Sequence, residues 1–320
     1  MKRIALITTG GTIAGVATSD TDLLGYTAGA LGGEALLAAV PALGALADIV
    51  PEAAFAIDSK DAHPSHWLQL ARRVAERLAD PLMDGVVVTH GTDTLEESAY
   101  FLHLTLPVGK PVVFTGAMRP ASARSADGPM NLYQAVAVAV SGITADAGVV
   151  VVMNGEIHGA RTVTKTHTLD LSAFSSPTGG PLGRADPPTL QRHPAAGDAG
   201  RIPLDRLHGD DLPEVGLITV ASGVAPIFLQ TAADHCAGIV LALPGHGSLP
   251  DRWRQTVDEL AARGLPIVRG SRTGAGPVLH RNDPAMLPAG DLAPAKARIA
   301  LIAALAAGEV NLFSEVAGHA

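Results

Sequence analysis

The feature that most constrains the fold of this chain is an alternation of short apolar runs with longer amphipathic stretches. Each apolar run leads into a polar turn that contains glycine. Uninterrupted runs of this length are typical of strands buried on both faces, as in parallel sheets. Four lie in the first half of the chain: Ile4–Thr8, Val86–Val88, Pro111–Phe114 and Val149–Val152. A further strand is indicated at Phe55–Ile57.

The amphipathic stretches between these runs have helical periodicity. Residues 64–79 and 94–106 each place apolar side chains three and four positions apart on one face. Asp127 and Pro129 predict the N-cap and first turn of another helix. Repeated strand–helix units predict an α/β fold with a mostly parallel, doubly wound sheet.

A change in composition divides the chain. Its 320 residues exceed the usual size of a single hydrophobic core. Residues 186–213 are rich in proline and glycine with scattered charge, which is typical of an interdomain linker. We therefore expect a larger N-terminal catalytic domain at 1–185 and a smaller C-terminal α/β domain at 214–320.

Charge and hydropathy exclude several classes of function. The net charge is −8 and the chain has no basic run, which argues against nucleic acid as a partner. The most apolar stretch, Ala135–Met153, is interrupted by Gly142, Asp146 and Gly148, so no membrane partner is expected. No metal-binding motif is present, and we expect neither a metal nor another cofactor. The short apolar N-terminus and the single cysteine favour a cytoplasmic protein.

The first chemistry-bearing segment follows the first predicted strand. It reads Thr-Thr-Gly-Gly-Thr-Ile-Ala-Gly over residues 8–15. Gly10 and Gly11 would let backbone amides approach an anion or a developing oxyanion, and Thr12 places a hydroxyl beside them. Taken alone, the segment also fits a phosphate-binding turn or a plain turn.

The second segment, residues 90–97, follows the strand at Val86–Val88. It places a hydroxyl on Thr92 and a carboxylate on Asp93 at the start of a predicted helix. An alternative interpretation makes Thr92 or Asp93 the helix N-cap, with Glu96 completing a capping box. That alternative accounts for Glu96 but not for the hydroxyl and the carboxylate together.

Jointly, residues 9–14 and 90–94 resemble the two signature motifs of the bacterial-type L-asparaginase and glutaminase-asparaginase family. Residues 115–120, 125–132, 163–166 and 294–298 agree with the same family, so the resemblance covers nearly the whole chain. It implies an amidohydrolase that releases ammonia from the side chain of L-asparagine and leaves L-aspartate, with minor glutaminase activity. It also implies a homotetramer built as a pair of dimers.

The resemblance also implies roles for individual residues. Thr12 would be the nucleophile that forms an acyl-enzyme, and Tyr26 its hydroxyl partner on a lid at residues 15–29. Thr92, Asp93 and Lys165 would form a second catalytic group, in which the lysine takes a proton through the Thr92 hydroxyl. The implied substrate contacts are Gly11, Ser59, Lys60, Gly91, Thr92 and Asp93. Without the family pattern, Lys165 would fit a solvated charge on an edge strand.

Three departures from the family pattern bear on specificity. Lys60 stands where glutamine is often found, and His246 stands where the family's Gly-Asn-Gly turn has asparagine. No glutamate lies between residues 259 and 309, where a neighbouring subunit would contribute one, so Asp283 or Asp291 substitutes for it or the contact is missing.

Two other functions remain open at this stage. The chain could be the related amidase of a tRNA-dependent amidotransferase, which shares the signatures. It could also be a catalytically silent amino-acid-binding protein on the same fold.

Overall fold

The computed structural model describes residues 1–17, 19–21, 25–27, 29–193, 200–279 and 283–318, without the side chains of residues 17 and 26. Two compact units divide the chain, Met1–Pro194 and Ala195–Ala320. No helix in the described part of the chain is both long and apolar enough to cross a bilayer.

The N-terminal unit contains twelve described strands and five described α-helices. The strands are β1 Arg3–Gly10, β2 Val16–Ala17, β3 Tyr26–Thr27, β4 Asp48–Ile57, β5 Gly85–Thr89, β6 Val112–Thr115, β7 Val149–Met153, β8 Glu156–Gly159, β9 Thr164–Lys165, β10 Phe174–Ser175, β11 Gly183–Ala185 and β12 Pro188–Leu190. The helices are α1 Gly33–Ala38, α2 Leu43–Leu46, α3 Pro64–Ala79, α4 Leu95–Thr105 and α5 Gly128–Ser141.

Eight of these strands form one sheet in the order β12-β11-β8-β7-β6-β5-β1-β4. Strands β4, β1, β5, β6 and β7 run parallel, and β8, β11 and β12 extend the sheet in antiparallel register. The chain adds β4 on one side of β1 and then crosses to add β5 on the other side. The strand order therefore reverses at β1, which makes the carboxyl ends of β1 and β5 the switch point where such sheets bind ligands.

Strands β1, β5, β6 and β7 are buried on both faces, as the apolar runs predict, whereas the edge strand β4 is partly exposed. Alternate side chains, including Leu6, Val87 and Val113, pack with α5, α1 and α2 on one face. Helices α3 and α4 pack against each other, through Trp67 and Phe101, and against strands β5 and β7.

An ion-pair cluster attaches the edge strand β4 to α3. Glu52 accepts hydrogen bonds from Arg73 at 2.6 Å and from Arg77 at 2.7 Å. Burial alone would raise the pKa of Glu52, but the hydrogen bonds and charges of the two arginines hold that pKa below its usual value. The cluster fixes the strand that leads into residues 58–61.

The C-terminal unit has a separate parallel sheet in the order β13-β14-β15-β16. Its strands are β13 Val215–Thr219, β14 Gly238–Leu243, β15 Ile267–Ser271 and β16 Leu287–Pro288, and its helices are α6 Ile227–Ala233, α7 Asp251–Ala262, α8 Pro294–Ala306 and α9 Asn311–Val316. Trp253 and Leu229 join α7 and α6 to an apolar core that includes Leu241. The predicted α/β class, with a large mostly parallel sheet and a smaller C-terminal domain, is confirmed.

Two local features differ from expectation. Strand β12, Pro188–Leu190, lies within the stretch expected to be a linker and forms the outer edge of the large sheet. Asp127 occupies the N-cap position of α5 as expected, but its carboxylate accepts the backbone amides of Met118 and Arg119, each at 2.9 Å. Its hydrogen bonds therefore organise the loop after β6 and leave the helix without a side-chain cap.

Candidate active site

The residues expected to carry chemistry converge at the carboxyl ends of β1, β4 and β5. Thr12 follows β1, Ser59 follows β4, and the segment from His90 to Asp93 follows β5. The Thr9 hydroxyl donates to the Thr89 carbonyl at 3.0 Å and joins the ends of the two central strands. This edge is the switch point of the sheet.

Two glycines allow the backbones of these segments to touch. A Cβ atom placed on Gly11 would lie 2.3 Å from the Gly91 Cα, and one placed on Gly91 would lie 2.6 Å from the Ser59 Oγ. Gly11 also has a φ of 80°, which side chains disfavour. Only glycine at both positions lets the three segments approach this closely.

Both backbone groups of Gly11 make hydrogen bonds within the protein. Its N–H donates to the Ile57 carbonyl at 3.1 Å, and its carbonyl accepts the Gly29 amide at 3.1 Å. Gly11 therefore lets the neighbouring backbones approach closely. It precedes a short 3-10 helix, Thr12–Ala14, in which Thr12 is only 7% exposed.

Lys165, Thr92 and Asp93 form one hydrogen-bonded group. The Lys165 Nζ donates to the Thr92 Oγ1 at 3.0 Å and to the Asp93 Oδ1 at 2.6 Å. The lysine side chain is 17% exposed, whereas that of Asp93 is 57% exposed. Lys165 is therefore not a solvated edge charge, because its amine is held between a buried threonine and an accessible carboxylate.

Glu96 differs from its expected role as a capping-box partner. The N-cap residue of α4 is Thr94, and it makes no side-chain capping bond. The Glu96 Oε2 instead accepts the backbone amide of Lys165 at 2.8 Å. The local spacing favours a capping box, but the Glu96 carboxylate accepts an amide that lies 69 residues further along the chain. No sequence pattern we recognise signals this contact.

A second network lies at the base of the hairpin that carries Lys165. Strand β9 pairs with β10, so that Lys165 lies opposite Phe174. Just outside the pair, the Ser176 hydroxyl lies 3.1 Å from the His158 Nδ1 and accepts from Thr162 at 3.3 Å. This network ties both ends of the hairpin to strand β8.

His90 is fully enclosed beside the site. Its Nδ1 lies 2.9 Å from the Gly91 carbonyl, which can only accept, so the proton is assigned to Nδ1. Desolvation lowers the pKa of His90 to about 4, against a weaker opposing effect of that hydrogen bond. The imidazole is therefore neutral near pH 7 and supports the turn after β5 without adding charge to it.

Ser59 and Lys60 behave differently although they are neighbours. Ser59 is 3% exposed, and its carbonyl accepts the Thr94 hydroxyl at 2.8 Å. The Lys60 ammonium is exposed and pairs with Asp58 at 3.0 Å and Asp61 at 2.7 Å. Of the two implied substrate contacts, only Ser59 lies against the Gly91 segment.

The segment expected to form a lid is described in part. Strands β2 and β3 pair antiparallel, with Tyr26 opposite Ala17 in the backbone register, and Asp20 pairs with Arg124 at 2.5 Å. The side chain of Tyr26 and all of Asp22 lie outside the described residues. The proposed hydroxyl partnership of Tyr26 therefore stays a prediction.

One candidate replacement for the missing glutamate already has a partner. Asp283 accepts from Arg254 at 2.9 and 3.2 Å. Burial alone would raise the pKa of Asp283, but the bonds and charge of Arg254 lower it. Among the described residues, no cluster of three or more histidine, cysteine or acidic side chains is placed to hold a metal ion.

Two protein families match this chain. The family described as Asparaginase, N-terminal, matches residues 3–195. The family described as Glutaminase/Asparaginase C-terminal domain matches residues 214–312. Together these matches span both units.

Individual relatives agree with the family matches. L-asparaginase 2 of Escherichia coli strain K12 is 40% identical over 313 residues, which cover 95% of this chain and 89% of the relative. The glutaminase-asparaginase of Acinetobacter glutaminasificans is 37% identical over 328 residues and 98% of each chain. The crystal structure of a probable cytoplasmic L-asparaginase from Campylobacter jejuni superposes with a TM-score of 0.91 at 40% identity, covering 98% of this chain and all of that one.

Proposed function

This chain belongs to the asparaginase family, and on that premise we propose that it hydrolyses the side-chain amide of L-asparagine to L-aspartate and ammonia. The single observation that carries the proposal is the Lys165–Thr92–Asp93 group at the switch point of the sheet. It combines an amine, a buried hydroxyl and an accessible carboxylate beside the segment that bears Thr12. A phosphate-binding turn does not require an amine, a hydroxyl and a carboxylate together.

In the proposed first half-reaction, the Thr12 hydroxyl attacks the side-chain amide carbon. A threonine hydroxyl is a weak nucleophile until a neighbouring group accepts its proton. Tyr26, or Lys165 acting through Thr92, would be that acceptor. The proton passes to the departing nitrogen, ammonia leaves, and an aspartyl ester remains on Thr12. Water then attacks the ester, which releases L-aspartate and restores the hydroxyl.

The remaining groups would orient the substrate. Ser59 and the backbone at Gly91 lie against each other and would meet the substrate's α-carboxylate. The exposed carboxylate of Asp93 would meet its α-amino group, since opposite charges attract and the position is accessible. Lys60 is held by its two acidic neighbours and would act on the substrate only through long-range charge.

Three finer properties are part of the proposal. L-glutamine would be a minor substrate, which the similarity to a glutaminase-asparaginase supports. The enzyme would be a homotetramer, which light scattering tests: a monomer at working concentration would contradict it. It would be cytoplasmic, which the similarity to the C. jejuni protein supports and cell fractionation would test.

The decisive experiment measures ammonia release from L-asparagine and L-glutamine by the purified protein and by Thr12→Ala. Release from L-asparagine that falls by several orders of magnitude in the variant, with circular dichroism unchanged, is the expected result. Unchanged release by the variant would contradict the nucleophile. Binding of L-asparagine without release by the wild type would favour a silent binding protein, and copurifying protein or RNA would favour the amidotransferase component.

A further inference from the structure

We propose that Glu96 is a positioning residue for Lys165: its carboxylate holds the lysine backbone so that the lysine amine reaches Thr92 and Asp93. This inference rests on the proposed function, because it concerns the same catalytic group. It assigns a role to an acidic side chain that the mechanism above does not use.

Three hydrogen bonds of Lys165 run to one short segment of the chain, residues 92–96. Its backbone amide donates to Glu96 at 2.8 Å, and its amine donates to Thr92 and Asp93. The turn that follows β5 and the first turn of α4 thus hold the lysine at both ends. Because the Glu96 bond fixes the Lys165 backbone on α4, it also fixes the distance that the lysine side chain must cover to reach Thr92 and Asp93.

Such a tether is needed because the hairpin that carries Lys165 is short. Strands β9 and β10 have two residues each and form their own two-stranded sheet. A pair of this length has little stability of its own. The Glu96 bond joins it to helix α4, which packs against β7 and α3.

The placement of Glu96 suits an acceptor of this kind. It lies in the first turn of α4, where the helix dipole favours a negative charge. A hydrogen bond from an amide to an ionised carboxylate is roughly twice as strong as one between neutral groups.

The test compares Glu96→Ala, Glu96→Gln and a control, Glu76→Ala, which removes an exposed helical glutamate from α3. Two quantities are measured: hydrogen exchange at the Lys165 amide, and kcat and KM for L-asparagine. In Glu96→Ala we expect faster exchange at Lys165 and a kcat lower by about 10- to 100-fold, since a 1 Å misplacement of a catalytic group can cost about 100-fold. KM should change little.

Glu96→Gln retains an oxygen acceptor and should restore both exchange protection and most of kcat, and Glu76→Ala should match the wild type. Unchanged exchange at Lys165 in Glu96→Ala, or an equal loss of kcat in Glu96→Gln, would overturn the proposal. If Glu96→Ala does not fold, Glu96→Asp, which shortens the side chain by one methylene, should lose kcat and protection instead. Wild-type values in Glu96→Asp would then refute it.

Failure of the proposed function would be visible separately. A wild-type protein that releases no ammonia would remove the kinetic comparison but leave the exchange measurement intact. Loss of protection at Lys165 in Glu96→Ala would then still establish the tether.

Discussion

The Lys165 Nζ lies 3.0 Å from the Thr92 Oγ1, although 73 positions separate the two residues in the chain. The contact crosses from a two-residue strand to the turn after a central strand of the sheet. It places an amine beside the hydroxyl of a residue that is only 5% exposed. Proton transfer between such groups needs this distance, and removal of the Thr92 hydroxyl tests whether catalysis depends on it.

The first prediction concerns the Thr92 hydroxyl. Thr92→Val keeps the shape of the side chain but removes the acceptor of the Lys165 bond. We expect kcat for L-asparagine to fall by about 10²- to 10⁴-fold, the usual contribution of general acid–base catalysis. Steady-state kinetics measures the loss, and Thr189→Val, at an exposed position of β12, serves as the control. A Thr92→Val enzyme within threefold of the wild type would remove this hydroxyl from the mechanism.

The second prediction concerns the contact between the glycine-bearing turns. Gly91→Ala adds a Cβ that would lie 2.6 Å from the Ser59 Oγ, so one segment must shift. We expect KM to rise at least tenfold with a lower thermal midpoint. Gly32→Ala is the matched control, because a Cβ there meets no atom within 4 Å. Equal kinetics for both alanine variants would show that the close approach does not shape the site.

Much of the fold follows from local pattern. The apolar runs match strands β1, β5, β6 and β7, except that Pro111 precedes β6. Because ligand sites lie at the carboxyl ends of parallel strands, the sequence alone predicts that Thr12, Thr92 and Ser59 lie close together. Helix α3 spans residues 64–79 as its periodicity predicts. These features depend on residues close together in the sequence, where hydrophobic periodicity and turn-forming residues are strong signals.

The antiparallel extension of the sheet was missed for a different reason. Asn154 and Gly155 have φ values of 48° and 79° and join β7 to β8 in a tight hairpin. Asn-Gly between two strands is a strong hairpin signal, but the strand pattern alone predicts only a polar turn with glycine after Val152. The hydrogen bond from the Lys165 amide to Glu96 cannot be predicted from local pattern. A carboxylate at a position that suits a helix cap can equally accept from an amide far away in the chain.

The third prediction concerns the base of the hairpin that carries Lys165. Ser176→Ala removes the hydroxyl that lies between His158 and Thr162. We expect a loss of about 0.5–1.5 kcal/mol in the free energy of unfolding, the usual net contribution of one hydrogen bond. Urea denaturation measures it. Ser172→Ala, at an exposed position between β9 and β10, is the comparison, and an equally small effect of both changes would contradict the role of the network.

The last prediction concerns the pH dependence of stability caused by His90. Its pKa is about 4 in the folded protein and about 6.5 in an unfolded chain. Between these values the unfolded state binds the proton and the folded state does not, so stability falls as the pH is lowered. The contribution is complete above pH 6.5 and is lost by about pH 4, a change of about 3 kcal/mol at 1.36 kcal/mol per pKa unit.

His90→Gln should remove this part of the pH dependence, because glutamine does not titrate. The unfolding free energy of wild type and variant is measured by urea denaturation at several pH values from 7.5 to 4. The lowered pKa values of Glu52 and Asp283 act in both proteins and cancel in the difference. His193→Asn, at an exposed histidine of the same unit, should keep the wild-type slope. Parallel pH curves for His90→Gln and wild type would show that the buried imidazole takes up a proton in the folded protein as readily as in the unfolded chain.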